Sequence, residues 1–323
     1  MKKVIVVGCG VSGLSTAICL QENGFAVEIW AEALPPHTTS DKAAAVWFPY
    51  AIGPINRVEK WSKQSYDYFA SLAKNEATGV SFDDLTLVGH EESEIEPFWS
   101  KSLPRDMWSV VGPQDLPAGY KTGYKVRVPI IETPIYMPYL VERFKRKGGK
   151  ILKKTIASLA ELPHDVFTNV NCTGLGARSL AHDNALFPIL GLTLVGTLNP
   201  DVSSLDRIVD DGGPNSLAYV FPRKMSGDFV LGGTAVQGAD ESSIEDHHFT
   251  EMLERCGNIY PELKSAANLK RNWGLRPGRP NIRLNRDEEN PRLIHNYGHG
   301  GGGFTVSWGC AFEVLTLIKE LDG

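Results

Sequence analysis

The 323-residue sequence predicts an α/β protein, in which a doubly wound parallel domain is interleaved with a mostly antiparallel β-sheet domain. Three observations predict this. The first 32 residues spell strand, helix, strand around Gly8-Cys9-Gly10-Val11-Ser12-Gly13. A second glycine concentration, Gly298 to Gly303, stands between a strand and the last helix. Residues 80–128 and 188–235 break into short alternating runs punctuated by Gly and Pro, the pattern of antiparallel strands.

In chain order, Val4 to Val7 is a β-branched run suited to a strand buried on both faces. Ser12 to Asn23 carries Leu14, Ala17, Ile18 and Gln21 at helical spacing, and Gly24 stands where a helix ends. Phe25 to Trp30 alternates as a strand, so right-handed crossover makes this opening half of a doubly wound sheet. A loop from Pro35-Pro36 runs through Thr38, Thr39, Ser40 and Asp41 into Ala43-Ala44-Ala45. Val58 to Leu72 reads as an amphipathic helix, and Tyr124 to Val128 as one strand of the first antiparallel insertion. A helix is expected over Pro138 to Lys147, and strands over Lys150 to Ile156 and Val166 to Cys172. Tyr219 to Phe221 and Phe229 to Leu231 are strands of the second insertion. Ile244 to Asn258 is a helix with a solvated acidic start at Asp240 to Asp246, Leu293 to Asn296 a strand, and Thr305 to about Leu321 the last helix. The expected nucleotide-binding domain is therefore discontinuous, residues 1–54, 134–187 and 274–323, with a substrate domain of residues 55–133 and 188–273.

Composition narrows the function. Lys and Arg number 33 and Asp and Glu 38, a net charge of −5, which leaves no electrostatic footprint for nucleic acid and no polybasic membrane patch. The five cysteines, at 9, 19, 172, 256 and 310, are odd in number, widely spaced and without a CxxC. That argues against a disulfide scaffold or structural zinc and for a reducing compartment. No apolar run is long enough to span a bilayer. Lys2-Lys3 with its apolar sequel mimics a secretory leader, but the glycines that follow favour a strand running into a phosphate loop. The chain ends Leu321-Asp322-Gly323, without a peroxisomal address, so a cytoplasmic location is expected. Metalloprotease, Walker and serine-hydrolase motifs are absent, and His247-His248 reads as a solvated pair. The sequon Asn171-Cys172-Thr173 lies in an expected buried strand.

Gly8, Gly10 and Gly13 fit the dinucleotide fingerprint: a tight turn, close approach of backbone N–H groups to a pyrophosphate, and close packing of helix on strand. Val11 and Ser12 then open the helix whose positive end faces the phosphates, and Glu32 is placed for the ribose. This Rossmann-type unit does not by itself separate FAD from NAD. In Gly298-His299-Gly300-Gly301-Gly302-Gly303, side chains would obstruct a ligand lying on the backbone, and the helix dipole behind it would favour the electron-rich edge of a reduced flavin. His299 reads as structural or as a cofactor-edge residue and not as a base. Arg276 and Arg279 stand in the proline-stiffened Gly274-Leu275-Arg276-Pro277-Gly278-Arg279-Pro280, where a rigid guanidinium fork suits carboxylate capture.

These stretches resemble the D-amino-acid oxidase family, which includes D-aspartate oxidase. The likeness is carried by Val6 to Thr16, Thr38 to Tyr50, Asn171-Cys172-Thr173-Gly174, Ala218 to Arg223, Leu231-Gly232-Gly233-Thr234, Gly274-Leu275-Arg276-Pro277, and Ile294 to Gly301 completed by Ser307-Trp308-Gly309. The resemblance implies non-covalent FAD, with Glu32 at the adenosine ribose and Thr38, Thr39 and Ser40 at phosphate. It places Ala44, Ala45 and Val46 along the isoalloxazine, Ile156, Thr173 and Gly174 along the cofactor path, and Gly300, Gly301, Gly302, Gly303, Phe304 and Thr305 at the pyrimidine edge. Arg276, which also borders the cofactor, and Tyr219 would hold the substrate carboxylate, and the Gly301 carbonyl the amine.

The implied reaction is oxidative deamination of a D-amino acid to a 2-oxo acid, ammonia and hydrogen peroxide, by hydride transfer from Cα to flavin N5 with dioxygen as final acceptor. No side chain acts as acid or base, and a homodimer is compatible with the resemblance. Three positions depart from relatives: Phe48 where mammalian members have glutamine, Asn215 at a lid tyrosine, and Ala235 at the arginine of D-aspartate oxidases. With Tyr50 in the apolar wall, they point to neutral D-amino acids, and Arg223 is expected to face outward in the turn after its strand. Oxidation of glycine or N-methyl amino acids, D-aspartate oxidation, and a flavin-holding binder without turnover are the alternatives.

Overall fold

The computed structural model describes residues 1–49, 52–92, 97–210, 212 and 217–321. The first strands are β1 (Lys3–Val7), β2 (Ala26–Ala31), β3 (Val80–Gly89), β4 (Trp108–Val110) and β5 (Thr122–Ile131). Then come β6 (Lys150–Lys153), β7 (Thr168–Asn171), β8 (Phe187–Thr197), β9 (Arg207–Asp210) and β10 (Ala218–Arg223). The last are β11 (Asp228–Gly232), β12 (Val236–Gln237), β13 (Lys270–Gly278), β14 (Arg283–Arg286) and β15 (Leu293–Tyr297). The helices are α1 (Val11–Glu22), α2 (Ile55–Leu72), α3 (Thr133–Arg146), α4 (Ala177–Leu180), α5 (Pro200–Ser203), α6 (Asp246–Ile259) and α7 (Gly303–Lys319).

Two sheets result. The first has the order β14-β15-β7-β1-β2-β6 and is parallel except for the β14–β15 pair. Its centre is β1, whose alternation explains the double winding: Val4 and Val6 pack with Leu14, Ile18 and Val314 of α1 and α7, while Ile5 and Val7 pack with Trp30, Ile156 and Leu293 on the other face. The second sheet runs β12-β8-β11-β10-β9-β3-β5-β4, with β13 also on β8, and is antiparallel apart from β3 with β9. No helix among the described residues is long and apolar enough to cross a membrane.

Several boundaries differ from the sequence expectation. The α3 helix begins at Thr133 and not at Pro138, because Pro134 sits in its first turn and Pro138 lies one turn inside. The strand expected to reach Ile156 stops at Lys153, where its pairing with Ala31 of β2 ends. The expected domain boundary at 274 falls inside β13, which pairs with β8 without a break from Lys270–Val195 to Gly278–Phe187. The last helix starts at Gly303, two residues before Thr305.

Arg223 also departs from expectation. It is buried at 4% exposure and does not face outward. The β10–β11 register sets it opposite Asp228, whose two carboxylate oxygens accept from its Nε and Nη2 at 2.6 Å each, while Nη1 donates to Thr133 Oγ1 at 3.2 Å. Removing one partner of such a fork leaves a buried charge unpaired. Asp228→Ala is expected to lower the stability of the chain by about 3 kcal/mol, measured as a shift in the urea midpoint at constant slope, with Asp228→Asn losing less.

Candidate active site

A cavity of about 1320 Å³ runs between the two sheets. It exceeds the ~300–1,000 Å³ usual for one small ligand, which suits a long ligand plus a second small one. Its first half is built on the end of β1. Gly8 has φ of +112°, and a Cβ there would stand 2.3 Å from the Cys172 carbonyl oxygen, so only glycine lets β1 turn against β7. A Cβ on Gly13 would stand 2.1 Å from the Gly8 carbonyl oxygen. Gly13 therefore packs helix on strand and does not border the cavity, whereas Gly8, Gly10, Val11 and Ser12 do.

The Ser40 hydroxyl accepts from the Val11 backbone N–H at 2.9 Å, so it satisfies one of the unpaired donors of the α1 N-terminus and keeps its own proton to donate. Thr38 is fixed differently. Its N–H and hydroxyl both donate to Asp41 Oδ2, at 2.8 and 2.6 Å, which holds the 38–42 turn against the loop. Glu32, Thr38, Thr39, Ser40, Ala44, Ala45, Val46, Ile156, Thr173 and Gly174 all line the cavity. Cys9 and Cys172 line it too, but burial pushes both thiols up to about 12, so they are poor nucleophiles.

The second glycine loop forms the opposite wall. Gly300, Gly301, Gly303 and Phe304 border the cavity, and the Gly300 N–H donates to the Pro277 carbonyl at 2.8 Å. Gly302 instead packs on Ile52, where a Cβ would come within 2.4 Å of Cδ1. Thr305, expected at the ligand edge, does not line the cavity: its hydroxyl accepts from the Phe48 N–H at 3.0 Å and donates to the Phe48 carbonyl at 2.8 Å. It acts by clamping Phe48, whose ring does line the wall. His299 is buried, with Nε2 3.0 Å from Asn296 Oδ1. Since the Asn296 amide donates to Thr16 Oγ1, the imidazole donates to Asn296, and burial lowers its pKa to about 4. It is neutral near pH 7 and its proton is turned into the protein.

The far end of the cavity holds Arg276 and Tyr219. Pairing of β13 with β8 lays the Arg276 guanidinium on Gly191, where a Cβ would come 2.3 Å from Nη1. That nitrogen donates to the Thr234 carbonyl at 2.9 Å, and among the described residues no carboxylate pairs with Arg276. Tyr219 lies flat over Gly232 and stacks on Phe221 at 5.0 Å. Burial raises its pKa, with the Arg276 charge pulling the other way, so the phenol stays protonated and can donate.

Ala235 is buried but does not border the cavity, because Thr234 beside it is tied to β8 through Leu190 and Leu192. Tyr50 and Asn215 lie outside the described residues. Phe48 stands in the apolar wall as expected, and its neighbours there were not anticipated in the sequence: Trp99 meets Phe48 at 5.9 Å and Tyr124 at 5.5 Å, and all three line the cavity. Gly191 was also missed, although a glycine inside a strand is itself a signal of close approach.

The residues fit a dinucleotide. Backbone N–H groups meet the cavity at a helix N-terminus with no acidic residue in its first turn, hydroxyls flank it, and Glu32 stands at the outer end of β2. The model of a family described as FAD dependent oxidoreductase matches residues 3–316. The chain is similar to the D-amino-acid oxidase of Rubrobacter xylanophilus, with 39% identity over 98% of this chain and 95% of that protein. It is 32% identical to the human D-aspartate oxidase over 98% of this chain and 95% of that one. Among solved structures, glycine oxidase from Geobacillus kaustophilus shares the fold with a TM-score of 0.80 at 16% identity, covering 99% of this chain and 95% of that one.

Gly191→Ala tests the floor under the guanidinium. The added Cβ is expected to displace Arg276 and weaken binding of a small carboxylate by about 10-fold, the scale of one charged hydrogen bond, with the far-UV circular dichroism unchanged. Equilibrium titration with D-lactate measures it.

Proposed function

Since the chain belongs to the FAD dependent oxidoreductase family, we propose that it oxidises D-amino acids with neutral side chains to 2-oxo acids, releasing ammonia and hydrogen peroxide. Bound FAD supplies the two-electron acceptor for the Cα–H, and dioxygen takes up those electrons afterwards. Gly8, Gly10, Val11 and Ser12 would hold the pyrophosphate, Glu32 the ribose, and Gly300, Gly301, Gly303 and Phe304 the flavin edge.

The observation that carries the reading is the Arg276 guanidinium, half-buried and free of any described carboxylate, at the same end of the cavity as the Tyr219 phenol. Thr234 takes one N–H of the fork and fixes its plane, leaving the rest for a substrate carboxylate. Tyr219 donates a further hydrogen bond to that carboxylate. The Gly301 carbonyl accepts from the amine, so carboxylate and amine together aim the Cα–H. Phe48, Trp99 and Tyr124 exclude water from the reacting atoms and accommodate an apolar side chain. A preference for neutral substrates rests on the apolar wall and on Arg223, which is held by Asp228 and so does not serve as a second cation for a side-chain carboxylate. The five free, buried cysteines fit a reducing compartment.

Two experiments test this. Arg276→Lys keeps the charge but loses the planar fork, and kcat/KM for D-alanine is expected to fall by about 30-fold or more, as for truncating one partner of a hydrogen-bonded charge pair. A near-native value would remove Arg276 from the reading. With no side-chain base, the substrate amine must be neutral to react, so kcat/KM is expected to rise with pH along an amine pKa. His299, already neutral above about pH 4, is expected to leave that inflection in place when changed to Asn.

A further inference from the structure

Thr173 lines the cavity, and a buried chain of side chains stands behind it. Its N–H and hydroxyl both donate to Asn171 Oδ1, at 3.2 and 2.7 Å. The Asn171 oxygen being taken, its NH₂ faces His295 Nδ1 at 3.3 Å, because the parallel register of β7 and β15 sets these two residues side by side. The imidazole must then accept at Nδ1 and carry its proton on Nε2, which lies 3.0 Å from Asp287 Oδ2. Asn171 and His295 are both fully buried. Every donor in the chain is thereby assigned: the Thr173 hydroxyl proton points inward, and its remaining lone pair is what Thr173 offers to a ligand.

Protonating His295 reverses this order. Nδ1–H would then meet the Asn171 NH₂, donor against donor. The amide must turn over to accept from the ring, its NH₂ then faces the Thr173 N–H, and the Thr173 hydroxyl swings from acceptor to donor on the cavity side. The groups facing the imidazole are Asp287 beyond β14, Arg283 on β14, Asp183 in the loop after α4, the Tyr297 ring edge-on at 5.4 Å, and the uncharged Asn285 opposite it. Burial lowers the His295 pKa below the ordinary imidazole range, with Arg283 acting in the same direction and Asp287 and Asp183 against it. The neutral form therefore prevails near pH 7, and the switch lies on the acid side.

We propose that His295 is a positioning residue for the cofactor: with Asp287 and Asn171 it fixes the Thr173 hydroxyl as a hydrogen-bond acceptor towards bound FAD, so that protonating the imidazole weakens FAD binding. The proposal rests on FAD occupying this cavity. The test is the FAD dissociation constant of the full chain, read by flavin fluorescence from about pH 8 to pH 5 with far-UV circular dichroism followed in parallel. For the natural chain it is expected to stay level near neutrality and to rise by about 5- to 100-fold on acidification while the fold persists, the cost of one buried hydrogen bond left unmade. His295→Asn, which keeps an acceptor beside Asn171 but does not titrate, should bind FAD with little dependence on pH. Thr173→Val should bind FAD more weakly near neutrality and lose the acid weakening. A level profile for the natural chain, or an acid weakening that survives in Thr173→Val, overturns the proposal. A chain that took up no FAD at any pH would overturn the cofactor reading beneath it as well.

Discussion

Backbone meets backbone at Gly8 and Gly13, and the rest of the site depends on that contact. A Cβ on Gly13 would fall 2.1 Å from the Gly8 carbonyl oxygen, and one on Gly8 would fall 2.3 Å from that of Cys172. The N-terminus of α1 can therefore come down onto the ends of β1 and β7, and its unpaired N–H groups face the cavity instead of solvent. Several contacts at this end of the cavity are placed by this approach: Ser40 reaches the Val11 N–H, Ser12 and His299 lie within 3.5 Å of each other, and Asn296 bridges to Thr16 of α1.

The end of the cavity that holds Arg276 and Tyr219 obeys a different rule. There the flat faces of side chains lie on strands stripped of Cβ atoms, Arg276 over Gly191 and Tyr219 over Gly232. The second sheet thus supplies a guanidinium and a phenol with their approach fixed from below, while the first supplies a row of N–H groups. The two halves are locked by α7, whose first turn carries Thr305 onto the Phe48 backbone and whose Trp308 donates to the Tyr136 hydroxyl of α3 at 2.9 Å. Positioning is the common output. Buried residues that could have served as general bases are otherwise engaged, His299 with Asn296 and His295 with Asp287.

How much of this was legible in the sequence follows from how local each feature is. The strand–glycine–helix unit of residues 4–23 is specified by neighbours along the chain, so its form could be read from spacing. Glu32 followed from the length of one β-α-β unit. Features set by cross-strand register were less accessible. The β13–β8 pairing joins residues about 80 positions apart and carried the sheet across the expected boundary at 274. Arg223 was expected outward because nothing in its own strand shows Asp228 facing it across a tight turn. Thr305 and Ala235 sit beside functional positions but are taken up by Phe48 and by the strand that Thr234 ties to β8. The wall of Trp99 and Tyr124 arises from packing between segments with no periodic signature in common.

The central claim is that a guanidinium fork, a phenol and an apolar wall select the substrate. The most direct measurement is peroxide release across a panel, comparing kcat/KM for D-alanine, D-valine, D-methionine and D-phenylalanine with that for D-aspartate, D-glutamate, glycine and L-alanine. The account predicts the neutral D-amino acids well ahead, with D-aspartate and D-glutamate poor and L-alanine inactive. D-aspartate or D-glutamate as the best substrate would contradict it.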